Sequence, residues 1–366
     1  GDGGSDTDGV SVTVSSSGGG SERPVISSGE TAGAGTVYGI LNTTNGGLAQ
    51  SAAVTIDTGL MYAVYGGYIT SSGTAKLNSV TVNGGLIGAA DGYVCGGHVS
   101  GGTAEGNRVI VSGGTIGGSA NGTVCGGYAS SGMARNNSVS VCGGFIGLSH
   151  NQATGCVYGG RVENGTASSN SVTLNGGSIG VTSAGGTGIG CVYGGYVSSG
   201  GTAEDNTVTI SSGIIGVNSG YVYGGYAQNG TARNNRVIME GGQVDGHSSV
   251  TEGHLYGGCV SSGTAEGNTV TLSGGTVGNN SGYAYGGYVS GGGTAKSNSV
   301  TVSGGTIGAY YNRYTGSGGI GSACGGYVSS GIAEGNRVTI SGGTIGMGNG
   351  YLYGGYVSGG TASGNT

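Results

Sequence analysis

The sequence predicts an all-β protein, a single parallel β-solenoid (β-helix) in which about one repeat of 29–39 residues forms each coil. Two observations predict this fold. The motif VYGGYV or a close variant occurs ten times between Val64 and the end of the chain, and alternating apolar residues follow it in each of the nine complete units. One unit cannot bury its apolar side alone, whereas stacked units bury it together. Ten coils at strand spacing would form a rod about 45–50 Å long.

The composition excludes several other classes of protein. The 366 residues include 96 Gly but one Pro, which excludes collagen, and no apolar run is long enough for a transmembrane helix. We therefore expect no membrane insertion. The net charge of −6 includes no basic patch, so we expect no nucleic-acid partner. Carboxylates and bases are too scattered for a polysaccharide hydrolase or lyase, so we expect no enzyme activity, no catalytic residue, no metal and no cofactor.

The short segment after each motif has the period of a half-buried strand. In Asn268-Thr269-Val270-Thr271-Leu272 the apolar residues alternate with Thr, and the equivalent of Val270 is Val in all nine complete units. Glycines then permit a corner, and a further Ile or Val follows it. The Asn before the strand recurs in every unit, where stacked side-chain amides would pass hydrogen bonds along the axis. These residues are Asn78, Asn107, Asn137, Asn170, Asn206, Asn235, Asn268, Asn298, Asn336 and Asn365.

Two regions are distinguished by the regularity of the repeat. Residues 1–63 contain only faint coils, at Ser11–Val14, Val37–Gly39 and Val54–Ile56, and are predicted to be degenerate N-terminal coils or a cap. Residues 64–366 are predicted to be the repetitive solenoid. The tenth unit stops at Thr366 in mid-unit, so we expect the last repeat to be truncated and the chain to be part of a longer protein.

A stripe of charged residues sets the register of the coils. At one position of the repeat no two successive units carry the same charge. In-register stacking would place these side chains opposite one another, where unlike charges attract and like charges repel. This pattern favours one repeat per coil. The charged members of this register ladder are Lys76, Glu105, Arg135, Glu204, Arg233, Glu266, Lys296 and Glu334, with Ser at 168 and 363.

The repeats resemble those of a known class of surface protein. Residues 192–216 and 255–278 read VYGGYVSSGGTAEDNTVTISSGIIG and LYGGCVSSGTAEGNTVTLSGGTVG. They are similar to the Gly-rich repeats of autotransporter passenger domains and related haemagglutinin-like bacterial adhesins, over about residues 64–366. The resemblance implies a long β-helix, export to the bacterial cell surface and an adhesive or stalk-like role. The sequence departs from that pattern in having no translocator barrel and as many as seven Cys, which leaves the secretion route open.

The cysteines allow two interpretations. Cys95 and Cys125 occupy one repeat position in successive units, and Cys156 and Cys191 occupy another. Stacked coils would bring equivalent Cα atoms to about 4.8 Å, within the range for inter-coil disulfides. Alternatively, all of them are free thiols that pack as small apolar groups. The seven Cys include no CxxC, so a zinc site is not expected.

Tyrosines and insertions are the candidate binding features. Tyr recurs at two positions of the motif, where it either stabilises stacked coils or forms an exposed strip that stacks on sugar rings. The connectors before the motif are lengthened at four places, 148–156, 181–191, 245–254 and 309–322, so they should project from one edge. The longest of them supplies the candidate binding residues Tyr310, Tyr311, Arg313 and Tyr314, since Tyr and Arg are common interface anchors.

One segment concentrates titratable groups and could bind a metal or carry acid–base chemistry, although a solvated loop is the simpler interpretation. Its members are Glu240, Asp245, His247, Glu252 and His254.

The first functional hypothesis is an extracellular, non-catalytic rod of a bacterial surface protein that is structural or adhesive. It would present its insertion loops to a glycan or protein receptor on a host cell or in the matrix. The second hypothesis is a carbohydrate-binding or carbohydrate-processing solenoid, such as a phage tail fibre or a surface lyase. The third is a subunit of an extracellular filament that self-associates end to end.

Overall fold

The predicted fold class is confirmed. The computed structural model describes residues 7–8, 10–14, 35–183, 186–245, 252–309 and 318–366. In these residues parallel strands stack into a β-solenoid of about ten turns. No helix within these ranges is long and apolar enough to cross a membrane.

The strands have the following bounds. The N-terminal third contains β1 (Thr7–Asp8), β2 (Ser11–Val14), β3 (Gly35–Asn42), β4 (Gly47–Gln50), β5 (Ala53–Ile56), β6 (Leu60–Lys76), β7 (Ser79–Val82), β8 (Leu86–Ile87), β9 (Gly92–Glu105), β10 (Arg108–Val111) and β11 (Thr115–Ile116). The middle contains β12 (Asn121–Arg135), β13 (Ser138–Val141), β14 (Phe145–Ser149), β15 (Gln152–Ser168), β16 (Ser171–Thr182), β17 (Thr187–Glu204), β18 (Thr207–Ile215), β19 (Ser219–Arg233), β20 (Arg236–Met239) and β21 (Gln243–Val244). The C-terminal third contains β22 (Glu252–Glu266), β23 (Thr269–Leu272), β24 (Thr276–Val277), β25 (Ser281–Lys296), β26 (Ser299–Val302), β27 (Thr306–Ile307), β28 (Ile320–Glu334), β29 (Arg337–Ile340), β30 (Thr344–Ile345) and β31 (Asn349–Ser363).

A typical coil contains a four-residue strand, a two-residue corner strand and a long strand that carries the VYGGYV motif. In the coil of β10, β11 and β12, each strand pairs in parallel with its equivalent one unit earlier and one unit later. Thus Val109 lies between Val80 and Val139, at equivalent positions of adjacent repeats. This register establishes one repeat per coil.

The core is a column of branched aliphatic side chains. The inward positions predicted from the alternation, such as Val109 and Val111, are fully buried, as is Ile116 at the corner. They pack with the first residue of each VYGGYV-type motif, such as Val124, into one cluster that follows the axis. A second column is formed by the later half of each long strand, where residues equivalent to Val197 and Ala203 pack together.

A buried ladder of asparagine amides connects the coils, as the recurrent Asn predicted. The side-chain amide of Asn107 donates to Asn137 Oδ1 and to the carbonyl of Ala75, both at 2.9 Å. The backbone amide of Asn107 also donates to Asn137 Oδ1, at 2.9 Å. Asn107 Oδ1 accepts in turn from the backbone and side-chain amides of Asn78. Because both amide protons and the oxygen are bonded, the polar group is buried without an unpaired atom.

The paired glycines of the motif provide room for this ladder. A Cβ on Gly195, the second glycine of its pair, would lie 2.3 Å from the side-chain nitrogen of Asn206. A Cβ on Gly194 would lie 2.4 Å from the carbonyl oxygen of Gly224 in the next coil. Neither distance is compatible with a side chain, so the Gly-Gly pair is required by close approach of the Asn and of the neighbouring backbone.

The structure places the charged stripe in the register that the alternation predicts. Glu105 lies between Lys76 and Arg135, and Arg135 donates to the Glu105 carboxylate at 3.0 Å. Arg233 Nε donates to Glu204 at 2.6 Å. The remaining members alternate along the same line, as Glu266, Lys296 and Glu334. These pairs are exposed and are worth about 0–1 kcal/mol each, so they discriminate between registers more than they add stability.

The N-terminal region continues the same solenoid in its described part. Strands β3, β4 and β5 pair with β6 and β7, with Val37 opposite Val64 and Val54 opposite Val80. The segment Ser11–Val14 pairs in turn with β5. The ladder of amides starts here, since Ala52 stands where later coils have Asn, and its backbone amide donates to Asn78 Oδ1 at 3.0 Å.

Two matched glycine substitutions test the packing of the ladder. We expect Gly195→Ala to destabilise the protein by about 2–4 kcal/mol, because the new Cβ displaces a buried, hydrogen-bonded Asn. Gly200→Ala is the control, since its Cβ would meet nothing closer than the Asn229 carbonyl oxygen at 3.5 Å. Its effect should be within about 0.5 kcal/mol. The free energies of unfolding of both variants are measured by urea denaturation. Equal denaturation midpoints for the two variants would contradict the close packing of the Asn ladder against the glycines.

Candidate functional site: the aromatic face of the long strands

Three columns of side chains line one face of the solenoid. Because side chains alternate across a strand, the residues before and after the buried Val of each motif point outward together. The glycine pair then bends the strand toward them before the next Tyr. The first column consists of Ala63, Tyr93, Thr123, Cys156, Cys191, Tyr221, His254, Tyr283, Ser322 and Tyr351. The second consists of Tyr38, Tyr65, Cys95, Cys125, Tyr158, Tyr193, Tyr223, Tyr256, Tyr285, Cys324 and Tyr353. The third consists of Tyr68, His98, Tyr128, Arg161, Tyr196, Tyr226, Cys259, Tyr288, Tyr327 and Tyr356.

Rings stack along each column and meet edge to face between columns. In the second column the Tyr193 and Tyr223 ring centroids are 4.7 Å apart and nearly parallel, at 2°. Across the glycine bend, Tyr193 meets Tyr196 of the third column at 5.0 Å and 75°. Both geometries are favourable for aromatic pairs and add about 0.5–1.5 kcal/mol each beyond area burial. The face is therefore a rigid, concave aromatic corner.

The columns are largely uncharged at neutral pH. Burial raises the pKa of the Tyr223 and Tyr256 hydroxyls well above the ordinary range. Burial likewise raises the pKa of the Cys95 thiol, and raises that of Cys324 to about 12. Protonated phenols and thiols are poor nucleophiles, so these groups offer stacking surfaces and hydrogen-bond donors.

Two basic residues interrupt the third column. The His98 ring stacks between Tyr68 and Tyr128, at 4.4 and 4.5 Å. The Arg161 guanidinium lies over the rings of Tyr128 and Tyr158, at 5.5 and 5.2 Å, as a cation–π pair on each side. Tyr128 also donates to the Glu163 carboxylate at 2.5 Å. His98 Nδ1 and Arg161 Nε are buried without a partner among the residues that the structure describes.

Both candidate disulfide pairs stand opposite one another in register, and all four residues are free thiols. The thiols of Cys95 and Cys125 each donate to a carbonyl of their own strand, Gly97 at 3.2 Å and Gly127 at 3.1 Å. In-register parallel strands point equivalent side chains in the same direction, which favours this arrangement over a bridge. In the other pair Cys191 hydrogen-bonds Cys156, which lowers the pKa of Cys156 and raises that of Cys191.

The insertions stack on one another where the structure describes them. Leu148 and Ser149 pair with Val181 and Thr182, and residues 152–155 pair with 187–190. Two lengthened connectors thus form an added paired layer at one edge. The predicted binding residues Tyr310, Tyr311, Arg313 and Tyr314 lie outside the described residues, as does His247.

The other members of the titratable segment are engaged separately. Glu240 accepts from Ser211 at 3.1 Å, and Asp245 accepts from the backbone amide of Asn279 at 3.2 Å. His254 joins the first column, stacked between Tyr221 and Tyr283, with its Nε2 3.3 Å from Glu252. Burial lowers the pKa of His254. Within the described ranges, no three His, Cys, Asp or Glu side chains are grouped so that they could hold a metal ion.

Comparison with protein-family models, with curated proteins and with solved structures finds no match for this chain.

Sequence reasoning found the second and third columns but missed the first. The signal was present, because the residue before the Val shares its strand face with the Tyr after it. Tyr, His or Cys stands there in seven of the ten units. The pattern is weak, because Ala63, Thr123 and Ser322 interrupt it and Tyr itself occurs there only four times.

His98 should make stability depend on pH. Burial, aided by the charge of Arg161, lowers the pKa of His98 to about 4 from the ordinary 6.5. Above pH 6.5 neither the folded nor the unfolded form is protonated there. As the pH falls from 6.5 toward 4, His98 becomes protonated in the unfolded chain but stays neutral in the folded protein. We therefore expect stability to fall across this window, by up to about 3 kcal/mol.

The matched variant is His98→Tyr, which places the usual residue of the third column at this position. Urea unfolding at pH 7 and pH 4.5 should show a smaller loss for the variant than for the natural chain. Carboxylate titration is common to both proteins and cancels in the comparison. Identical pH dependence would contradict the assignment.

Proposed function

We propose that this chain is an extracellular, non-catalytic rod of a bacterial surface protein, and that it acts in adhesion. The observation that carries the proposal is the parallel pairing of each coil with the next, in which the register shifts only locally, at bulges such as that between Val197 and Gly200. A rod in which every strand pairs with its equivalents is stiff, and it holds features of successive coils at fixed spacing along one line. The resemblance of the repeats to adhesin passenger domains agrees with this role.

The stacked insertions are the proposed contact with a receptor. The connectors at 148–154 and 181–189 occur in adjacent coils and pair with each other at their ends, through Leu148 with Val181 and Thr154 with Ile189. Lengthened loops on one edge of a repeat array commonly form its binding face. A paired layer has less freedom to lose on binding than a single loop, which favours affinity.

A second candidate function is carbohydrate binding along the aromatic columns. The stacked, neutral Tyr rings turn their edges and hydroxyl groups outward, and these hydroxyl groups are hydrogen-bond donors for sugar oxygens. This alternative places the contact on the long strands and leaves the insertions without a role.

One experiment distinguishes the two. Residues 148–154 and 181–189 are each replaced by Val-Asn-Ser, the short connector found at 217–219. The natural chain and this variant are tested on a glycan array and on cultured epithelial cells, with circular dichroism as a check of folding. We expect the natural chain to bind cells and the shortened variant to lose at least tenfold of that binding.

Other outcomes have definite meanings. Equal binding of sugars by both proteins would favour the aromatic columns over the insertions. Absence of binding by the natural chain to both cells and glycans would contradict an adhesive role for this segment and favour a purely structural rod.

A further inference from the structure

The aromatic columns are interrupted at one coil by two small side chains next to each other. Ser322 stands in the first column between Tyr283 and Tyr351, and Cys324 stands in the second between Tyr285 and Tyr353. Elsewhere one ring follows the next at about 5 Å, as for Tyr256 and Tyr285 at 5.4 Å. Because two adjacent positions of this coil carry no ring, they leave a slot between the rings of the coils before and after it. Those rings are two strand spacings apart, roughly 10 Å.

The slot is an open cavity of about 370 Å³. Tyr283 on one side and Tyr351 and Tyr353 on the other form its walls, Ser322 and Cys324 form its floor, and Tyr327 closes one end. The wall rings Tyr351 and Tyr353 are parallel within 4°, with centroids 6.5 Å apart. This wall is thus flat and two rings wide, and Tyr283 faces it with one ring.

A second place where Cys replaces Tyr does not leave such a slot. Cys95 and Cys125 also replace two rings of the second column, but the chain fills the space itself. Tyr93 tilts onto Tyr65, at 5.5 Å and 38°, and Arg161 covers Tyr128 and Tyr158. The four Tyr side chains pack into one cluster with Cys95 and Cys125. At Ser322 and Cys324 the cavity remains.

The chemistry of the slot favours an uncharged aromatic guest. Among the residues that the structure describes, its lining includes no charged side chain. The Cys324 thiol donates to the Gly326 carbonyl at 3.2 Å and stays protonated at neutral pH. The Ser322 hydroxyl and the wall phenols are available at the floor and edges for a polar substituent. A flat ring inserted midway would regain the stacking that the columns have elsewhere.

We propose that this slot is a binding site for planar, uncharged molecules with two aromatic rings in one plane. The side-by-side spacing of the two rings in the wider wall, 6.5 Å for Tyr351 with Tyr353, sets the shape. A trans-stilbene skeleton holds its two rings coplanar at a similar separation. This site is independent of the adhesive role proposed above.

The probe is trans-4,4′-dihydroxystilbene, whose fluorescence rises when it is held rigidly in an apolar site. Titration with the natural chain should give saturable binding of one molecule per chain. The double variant Ser322→Tyr with Cys324→Tyr fills the slot with the rings usual at these positions, and it should bind at least tenfold more weakly. Cys259→Tyr restores a ring of the third column elsewhere, and it should bind like the natural chain.

A second variant covers the case in which the filled slot disturbs folding. Tyr283→Leu with Tyr351→Leu keeps the slot open but removes one stacking ring from each wall, and should also weaken binding at least tenfold. Absence of saturable binding by the natural chain would overturn the proposal. Equal affinity of the filled and natural chains, or several equivalent sites per chain, would overturn it as well, because the probe would then be bound along the ladders in general.

Discussion

The ladder of buried asparagines against paired glycines is the constraint on which the rest of the structure depends. Each amide is bonded to the coil before it and the coil after it, so a shift of one residue would leave buried donors and acceptors unpaired along the axis. The ladder requires Gly where the Asn amide approaches the long strand. The Asn ladder thereby fixes the register of the coils and also accounts for the recurrent Gly-Gly pair of the sequence.

The glycine bend that admits the ladder also creates the aromatic corner on the opposite side of the strand. Once the register is fixed, each residue of the three columns lies directly between the equivalent residues of the coils before and after it. A residue that departs from the usual Tyr is therefore held between known neighbours. A His at position 98 becomes a half-buried base between two phenols. The pair Ser322 and Cys324 becomes a slot between flat walls. The chemically distinct sites of this protein therefore lie where the repeat is interrupted.

Much of the fold could be predicted from the sequence because the repeat imposes its own register. The Val alternation, the recurrent Asn and the unlike charges at Glu105 and Arg135 each indicate one unit per coil. The candidate site was predicted less well. In the first column Tyr occurs in only four of the ten units, so Tyr283, Ser322 and Tyr351 were not assigned to the site from the sequence. Nor could spacing alone reveal that Arg161 fills one gap while another stays open, since that depends on side-chain volume and direction.

Hydrogen exchange on an Asn206→Ala variant tests the central claim most directly. Asn206 is bonded to Asn170, Asn235 and the Ala167 carbonyl. The variant should lose at least tenfold in amide protection in β16, β18 and β20, with smaller losses farther along the axis. Asn121→Ala is the control, because Asn121 makes an exposed bond to Asp91, and it should leave these strands unchanged. Equal protection in the two variants would contradict the claim that the amide ladder holds the coils in register.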